Sequence, residues 1–239
     1  MPSVGGTMPT LPAEVLRRDS FDDDSFSVPG WKRTFDLVAI LISSPVWLPV
    51  MICISVWIKM VSPGPVFFKQ LRIGFRGKRF MILKFRSMKP HAETDSHEEY
   101  FDHLVDSDAP MTKLDAAGDD RVIFSGGFLR ATGLDELPQL FNVLSGDMSL
   151  VGPRPCTEHE VTKYKMEQLE RFDAFPGLTG HWQVNGKNKT TFNQMIELDV
   201  FYARNASLRL DLRILFKTIP ALLAQVRETR TARDTQEKP

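Results

Sequence analysis

The most chemically loaded stretch of the chain is Gly133-Leu134-Asp135-Glu136-Leu137-Pro138-Gln139-Leu140-Phe141, where two carboxylates stand side by side ahead of a proline. Asp, then Glu, then Pro is the pattern of a helix start, with Asp135 near the cap. Read alone, that is an ordinary structural device. The chemical alternative uses the same geometry, because a helix N-terminus offers free amides and partial positive charge to a phosphate. A carboxylate held there could attack the phosphorus, and its neighbour could hold a divalent metal.

Basic residues that would meet such a phosphate recur elsewhere. In Val151-Gly152-Pro153-Arg154-Pro155, two prolines stiffen the backbone around one arginine, which suits a bidentate phosphate contact. A strand over 79–87 places Phe80, Ile82, Lys84 and Arg86 on one face and Met81, Leu83 and Phe85 on the other. Lys84 and Arg86 then project together, either toward an anion or as a solvated strand edge. His91, His97 and His103 recur every six residues, a spacing that does not stack them on a helix face, so zinc carries little weight.

These residues need elements to position them. Strand-like runs over 66–71 and 79–87, with Gly74 and Gly77 between them, predict a hairpin. Pro176-Gly177-Leu178-Thr179-Gly180 reads as a turn, followed by a short strand His181-Trp182-Gln183-Val184 and a turn at Asn185-Gly186. Residues 208–226 read as an amphipathic helix broken near Pro220, in the core or on a membrane surface, with a frayed, charged tail over 227–239.

The 239 residues suit one ordinary domain, and thirty basic against thirty acidic residues exclude a polycation built for nucleic acid. Two cysteines, Cys53 and Cys156, cannot form a disulfide framework. A mean hydropathy of -0.19 excludes a polytopic membrane protein but not one membrane segment. That segment is Leu37 to Ile58, uncharged throughout and about 33 Å long as a helix, enough for a hydrocarbon core of about 30 Å. Pro45, preceded by Ser43 and Ser44, and then Pro49 predict a kink, with the serine hydroxyls serving the freed backbone groups. Lys32 and Arg33 before the segment and Lys59, Lys69, Arg72 and Arg76 after it favour both ends on the cytoplasmic side, a re-entrant helix rather than a spanning one. Residues 1–30 read as a mobile leader. Residues 59–89 are strongly basic, suited to anionic headgroups or a phosphorylated substrate, and 91–120 are strongly acidic, a solvated face.

In order along the chain, Lys32-Arg33-Thr34-Phe35-Asp36, Ser62-Pro63-Gly64-Pro65-Val66-Phe67-Phe68-Lys69-Gln70, Lys84-Phe85-Arg86-Ser87-Met88 and Leu134-Asp135-Glu136-Leu137-Pro138-Gln139-Leu140 form a set with Gly146-Asp147-Met148-Ser149-Leu150-Val151-Gly152-Pro153-Arg154-Pro155. Pro176-Gly177-Leu178-Thr179-Gly180 and Trp182-Gln183-Val184 complete it. Over roughly residues 30 to 220 this resembles the bacterial sugar transferase family, small monotopic phosphoglycosyl transferases acting on polyprenyl phosphate.

The resemblance implies an α/β fold, helix-rich with a small β-hairpin, monotopic, with a re-entrant helix-break-helix over 31–60, interfacial helices and a cytosolic catalytic domain over 61–226. It implies transfer of a sugar-1-phosphate from a UDP-sugar to undecaprenyl phosphate with release of UMP, the first membrane step of exopolysaccharide, O-antigen or glycoconjugate synthesis. Asp135 would attack the β-phosphorus and form a covalent phosphosugar intermediate, and Glu136 would help hold Mg²⁺. Lys84, Arg86, Arg130 and Arg154 would contact phosphate, and Ser44-Pro45 would form the break in the membrane helix. The implied partners are the UDP-sugar, undecaprenyl phosphate, inner-membrane lipid and a second copy of the chain as a homodimer, without nucleic acid. The implied location is the bacterial inner membrane with the site on its cytoplasmic face.

Ile123, Gly127 and Lys187 depart from the family pattern, which puts the sugar and nucleobase contacts in doubt while leaving the dyad intact. With no further membrane domain ahead of the catalytic part, the chain resembles the short form of the family. Two competing readings are a catalytically idle membrane-anchored scaffold for polysaccharide assembly and a polybasic binding module on residues 59–89.

Overall fold

The computed structural model describes residues 29–89, 101–111 apart from 106 and 108, and 121–236, with side chains described as far as 227. The leader predicted over 1–30 falls outside the described residues except for its last two, as do His91, His97 and most of the acidic block.

Helix α1, Gly30–Val61, takes in the whole apolar segment and runs unbroken through Pro45 and Pro49. At 32 residues it is about 48 Å long. A proline leaves the carbonyl four residues back without its amide, and for Pro45 that carbonyl belongs to Leu41. The Ser44 hydroxyl donates to it at 2.8 Å, so the predicted rescue by serine is present. Trp47 adds an indole bond to the Ile40 carbonyl at 3.1 Å. The Ser44-Pro45 pair therefore marks a side-chain repair within a continuous helix, where the sequence predicted an interruption.

One stripe of α1 is buried along its full length, through Lys32, Asp36, Ile40, Met51 and Ile58. Ile40 and Trp47 join Phe80, Ile82, Leu140, Val143 and Met148 in one core cluster. Met51 and Ile58 join Phe85, Ile123 and Leu129 in another. On the opposite side Leu41, Ile42 and Val46 are each more than 70% exposed, and α1 is the one helix among the described residues long and apolar enough to cross a membrane.

The predicted hairpin is present as β1, Phe67–Ile73, and β2, Arg79–Phe85, paired antiparallel with Phe68 opposite Lys84 and Arg72 opposite Phe80. Helix α2, Gly126–Thr132, leads through Gly133 into a 3-10 turn, Leu134–Glu136, and then α3, Gln139–Ser145. Strand β3, Ser149–Val151, pairs in parallel with β4, Gly177–Thr179. The strands meet so closely behind β3 that a Cβ on Gly152 would sit 2.0 Å from the Phe175 carbonyl oxygen. Between them lie α4, Glu158–Val161, and a 3-10 segment, Met166–Asp173.

Two sequence expectations need correction here. His181–Val184, read as a strand, forms one helical turn, α5. The strand is instead Gly177–Thr179, which finds a partner in β3, whereas four residues confined between Gly180 and Gly186 have none. Helix α6, Phe192–Asn205, opens with a Thr191–Gln194 capping box and is followed by α7, Leu208–Gln236, which runs straight through Pro220. Pro220 is exposed on α7, and it costs the helix only the amide bond to the Phe216 carbonyl without ending it.

The N-terminal end of α1 is fastened deeply into this domain. The Lys32 ammonium donates to the Val151 carbonyl at 2.8 Å, to the Tyr202 hydroxyl at 3.0 Å and to the fully buried Asp211 carboxylate. Arg33 donates to the Val143 and Leu144 carbonyls at the end of α3, and Asp36 accepts from the Leu150 amide at 3.2 Å.

Candidate active site

The carboxylate pair sits on the 3-10 turn rather than at an α-helix cap. Gly133 has a φ of +73°, a left-handed conformation that lets the chain leave α2 and turn at once into Leu134. The Glu136 amide then bonds the Gly133 carbonyl at 3.1 Å and the Leu137 amide the Leu134 carbonyl at 3.2 Å. Pro138, not Asp135, occupies the cap position of α3. Asp135 and Glu136 are both half-buried.

Lys84 reaches the pair from β2. Its ammonium donates to Glu136 Oε1 at 2.8 Å, with about a quarter of the Lys84 side chain and a third of the Glu136 side chain exposed. Two elements far apart in sequence must be registered for this contact, and Asn142, which the sequence reading passed over, registers them. Its amide accepts from the Leu83 N–H at 2.9 Å and donates to the Met81 carbonyl at 2.8 Å, so α3 is laced to the free edge of β2 on both sides of Ile82. The signal was available: a buried amide interrupts the apolar run Leu140-Phe141-Asn142-Val143-Leu144.

The other predicted phosphate contacts are distributed differently. Arg86 lies just past the end of β2 and is buried, donating to the Pro63 carbonyl at 2.6 Å and the Ser62 carbonyl at 2.8 Å. It ties the hairpin to the C-terminal end of α1. Arg154 pairs with Glu160 through both carboxylate oxygens, at 3.2 and 3.1 Å. Burial pushes the Glu160 carboxyl up, but the guanidiniums of Arg154, Arg72 and Arg171 outweigh that and hold it below the usual range. Arg130 lies half-buried in the last turn of α2, one turn ahead of the pair.

Arg72, counted in sequence only among the basic flank, links these groups. It shares a face of the hairpin with Lys84, approaches Glu160 to 3.8 Å and lies within electrostatic range of both Arg154 and Glu136. Burial pushes its guanidinium down, with Glu160 opposing, and its Nε is buried without a hydrogen-bond partner. Behind it, Arg171 donates to the Arg154 carbonyl at 2.7 Å and to Asp199 at 2.5 Å. The order Lys84, Glu136, Arg72, Glu160, Arg154 is thus a line of alternating charge from the hairpin to the Pro153–Pro155 loop.

Of the three departures from the family pattern, Ile123 is a core residue packed with Phe85 and Leu129. Gly127 is exposed, with open space where a Cβ would stand. Lys187 donates to the Gln225 side-chain carbonyl.

The comparison with known proteins bears on this geometry. The family model described as bacterial sugar transferase matches residues 28–225. The chain belongs to that family. It is 39% identical over 196 residues to the exopolysaccharide production protein ExoY of Rhizobium meliloti (strain 1021), covering 80% of this chain and 84% of that one. It is 38% identical over 224 residues to a UDP-glucose:undecaprenyl-phosphate glucose-1-phosphate transferase of Xanthomonas campestris pv. campestris, covering 90% of this chain and 43% of that one. An undecaprenyl-phosphate galactose phosphotransferase of Salmonella typhimurium is 39% identical over 199 residues, with 80% and 40% covered. The chain spans under half the length of these last two relatives and most of ExoY.

Proposed function

We propose that this bacterial sugar transferase moves a sugar-1-phosphate from a UDP-sugar to undecaprenyl phosphate, releasing UMP, at the cytoplasmic face of the inner membrane. The observation that carries the reading is the half-open Asp135–Glu136 pair, with Lys84 held against Glu136 by the Asn142 lacing. The names of the Xanthomonas and Salmonella relatives support the same reaction class.

In this reading an Asp135 carboxylate oxygen attacks the β-phosphorus, and the bond from that phosphorus to the UMP oxygen breaks with its electron pair leaving on UMP. An undecaprenyl phosphate oxygen then attacks the same phosphorus and returns Asp135 as a carboxylate. Lys84, Arg130 and the Arg72–Glu160–Arg154 line offer positive charge to a diphosphate, and Lys84 exchanges Glu136 for an incoming phosphate at small cost because the pair is partly solvated. Two adjacent carboxylates together with substrate phosphate oxygens are a suitable donor set for Mg²⁺, with Glu136 the residue that would hold it. Bound there, the ion would supply neutralisation of diphosphate charge. Arg86, engaged with the Ser62 and Pro63 carbonyls, serves by holding the hairpin in place.

We infer that α1 anchors the chain at the membrane with both of its ends on the same side. Both of its ends support this, since Lys32 at one end and Ile58 at the other pack into the same domain. A helix spanning the bilayer would place those ends on opposite sides. Single cysteines introduced beside Lys32 and Lys69 should label from the same side; labelling from opposite sides would sink that reading.

The reaction is tested by UMP release from a panel of UDP-sugars with Mg²⁺, with and without undecaprenyl phosphate. Turnover should need both substrates and vanish in Asp135→Asn. Turnover that survives in that variant would remove Asp135 as the nucleophile. Silence across the panel from well-folded protein in a bilayer mimic would favour the scaffold reading.

A further inference from the structure

The last four carbonyls of any α-helix lack intrahelical amide partners. At the end of α2 those carbonyls lie between Arg130 and the carboxylate pair, so whatever binds them sets the approach to the site. The Thr132 hydroxyl takes that of Leu129 at 3.1 Å and shares the preceding one, of Phe128, at 2.8 Å. The next two, of Arg130 and Ala131, accept from one side-chain amide on another helix: Gln225 Nε2 of α7, at 3.2 and 3.0 Å. Gln225 is buried.

The orientation of that amide is itself fixed. The Lys187 ammonium, a donor only, bonds Gln225 Oε1, which leaves Nε2 facing the two carbonyls. Lys187 adopts a φ of +41°, a backbone conformation rare for a residue with a side chain, in the turn after α5. Leu222, one turn earlier on α7, lies 3.5 Å from where a Cβ on Gly133 would stand, so the same helix also backs the glycine that redirects the chain.

We infer that Gln225 is a positioning residue for the reaction: its amide fixes the stretch from Arg130 to Asp135, and Lys187 fixes the amide. This rests on the proposed transfer reaction for its consequence, though not for its geometry. Gln225 touches no reacting atom, so its loss misplaces the carboxylate pair without removing a substrate contact.

The test uses the full chain in a bilayer mimic, comparing wild type with Gln225→Leu, Gln225→Glu and Lys187→Met. Gln225→Leu and Gln225→Glu, the latter keeping a partner for Lys187 but no donor for the carbonyls, should lower kcat by about 10- to 100-fold with KM for the UDP-sugar within about twofold. Lys187→Met, which keeps the amide but frees its orientation, should lose about 2- to 10-fold. Amide hydrogen exchange should quicken over residues 126–137 in both Gln225 variants and stay unchanged over the hairpin at 67–85. A kcat within twofold of wild type, or a raised KM with kcat held, overturns the inference. If wild type shows no turnover on any UDP-sugar, the proposed reaction fails while the exchange measurement still decides the tether: unchanged exchange over 126–137 overturns it. If Gln225→Leu fails to fold, Gln225→Glu and Lys187→Met carry the same comparison.

Discussion

Two ion pairs of similar length lie in very different parts of this molecule. Lys84 and Glu136 meet at 2.8 Å with about a quarter and a third of their side chains exposed; Arg171 and Asp199 meet at 2.5 Å with 1% of each exposed. A half-solvated pair is close to break-even, because water competes for both partners, and it can open for another charge. A buried pair has left its hydration behind, so neither partner can be released without stranding the other. Burial pushes the Asp199 carboxyl up to about 6, with Arg171 opposing, which expresses that desolvation. The first pair is suited to exchanging partners during a reaction. The second is a fastener, since Arg171 also holds the Arg154 carbonyl and so the Pro153–Pro155 loop.

The largest effect should come from breaking the fastener on one side. Asp199→Ala leaves Arg171 charged and buried, and should cost about 3–5 kcal/mol of stability, read as a shift in denaturation midpoint. Replacing both partners with apolar residues, as in Arg171→Met with Asp199→Leu, should recover most of that loss, because no charge remains to be solvated. A double variant as unstable as the single one would show that the pair contributes more than mutual compensation.

The exposed pair should behave in the opposite way. Lys84→Met should change stability by no more than about 1 kcal/mol, yet lower kcat/KM for the UDP-sugar by about 30- to 1000-fold, as expected for one well-placed phosphate contact worth about 2–4 kcal/mol. A Lys84 variant that is destabilised but active would make the two pairs alike and remove the contrast.

The same contrast explains what could be read from the sequence. The carboxylate pair, Lys84 and the hairpin were legible because local patterning places them: alternation puts Lys84 on a defined face, and Gly74 and Gly77 punctuate the turn. Charged residues whose partners come from distant segments were not. Lys32 and Arg33 read as flanking charges that set membrane orientation, but Lys32 is 6% exposed and bound to Asp211, while Arg33 closes the end of α3. Arg86 looks the same as Lys84 in a strand pattern, and only the return of Ser62 and Pro63 beside it makes it a backbone tie. Arg72, Asn142, Arg171 and Asp199 were missed for this reason, since a sequence does not display which buried group a long side chain will meet. Pro45 and Pro220 misled because a proline costs a helix one amide bond without by itself ending it, and at Pro45 the Ser44 hydroxyl takes up the carbonyl left over.

The smallest predicted effect lies between the two pairs, at Glu160, which is buried yet close to Arg154, whose side chain is 31% exposed. Burial raises the Glu160 carboxyl, but Arg154, Arg72 and Arg171 hold it net below its ordinary value in the folded chain. In the unfolded chain it titrates at about 4.3. A lowered folded value means that the unfolded state takes up the proton first as pH falls, so the stability Glu160 contributes is complete above the unfolded value and disappears as pH drops through the folded one. Denaturation midpoints of wild type and Glu160→Gln should therefore converge as pH is lowered below about 4 and separate toward neutrality. Parallel curves across that range would mean that the three arginines leave Glu160 as it is in water, and that burial and their charge cancel there.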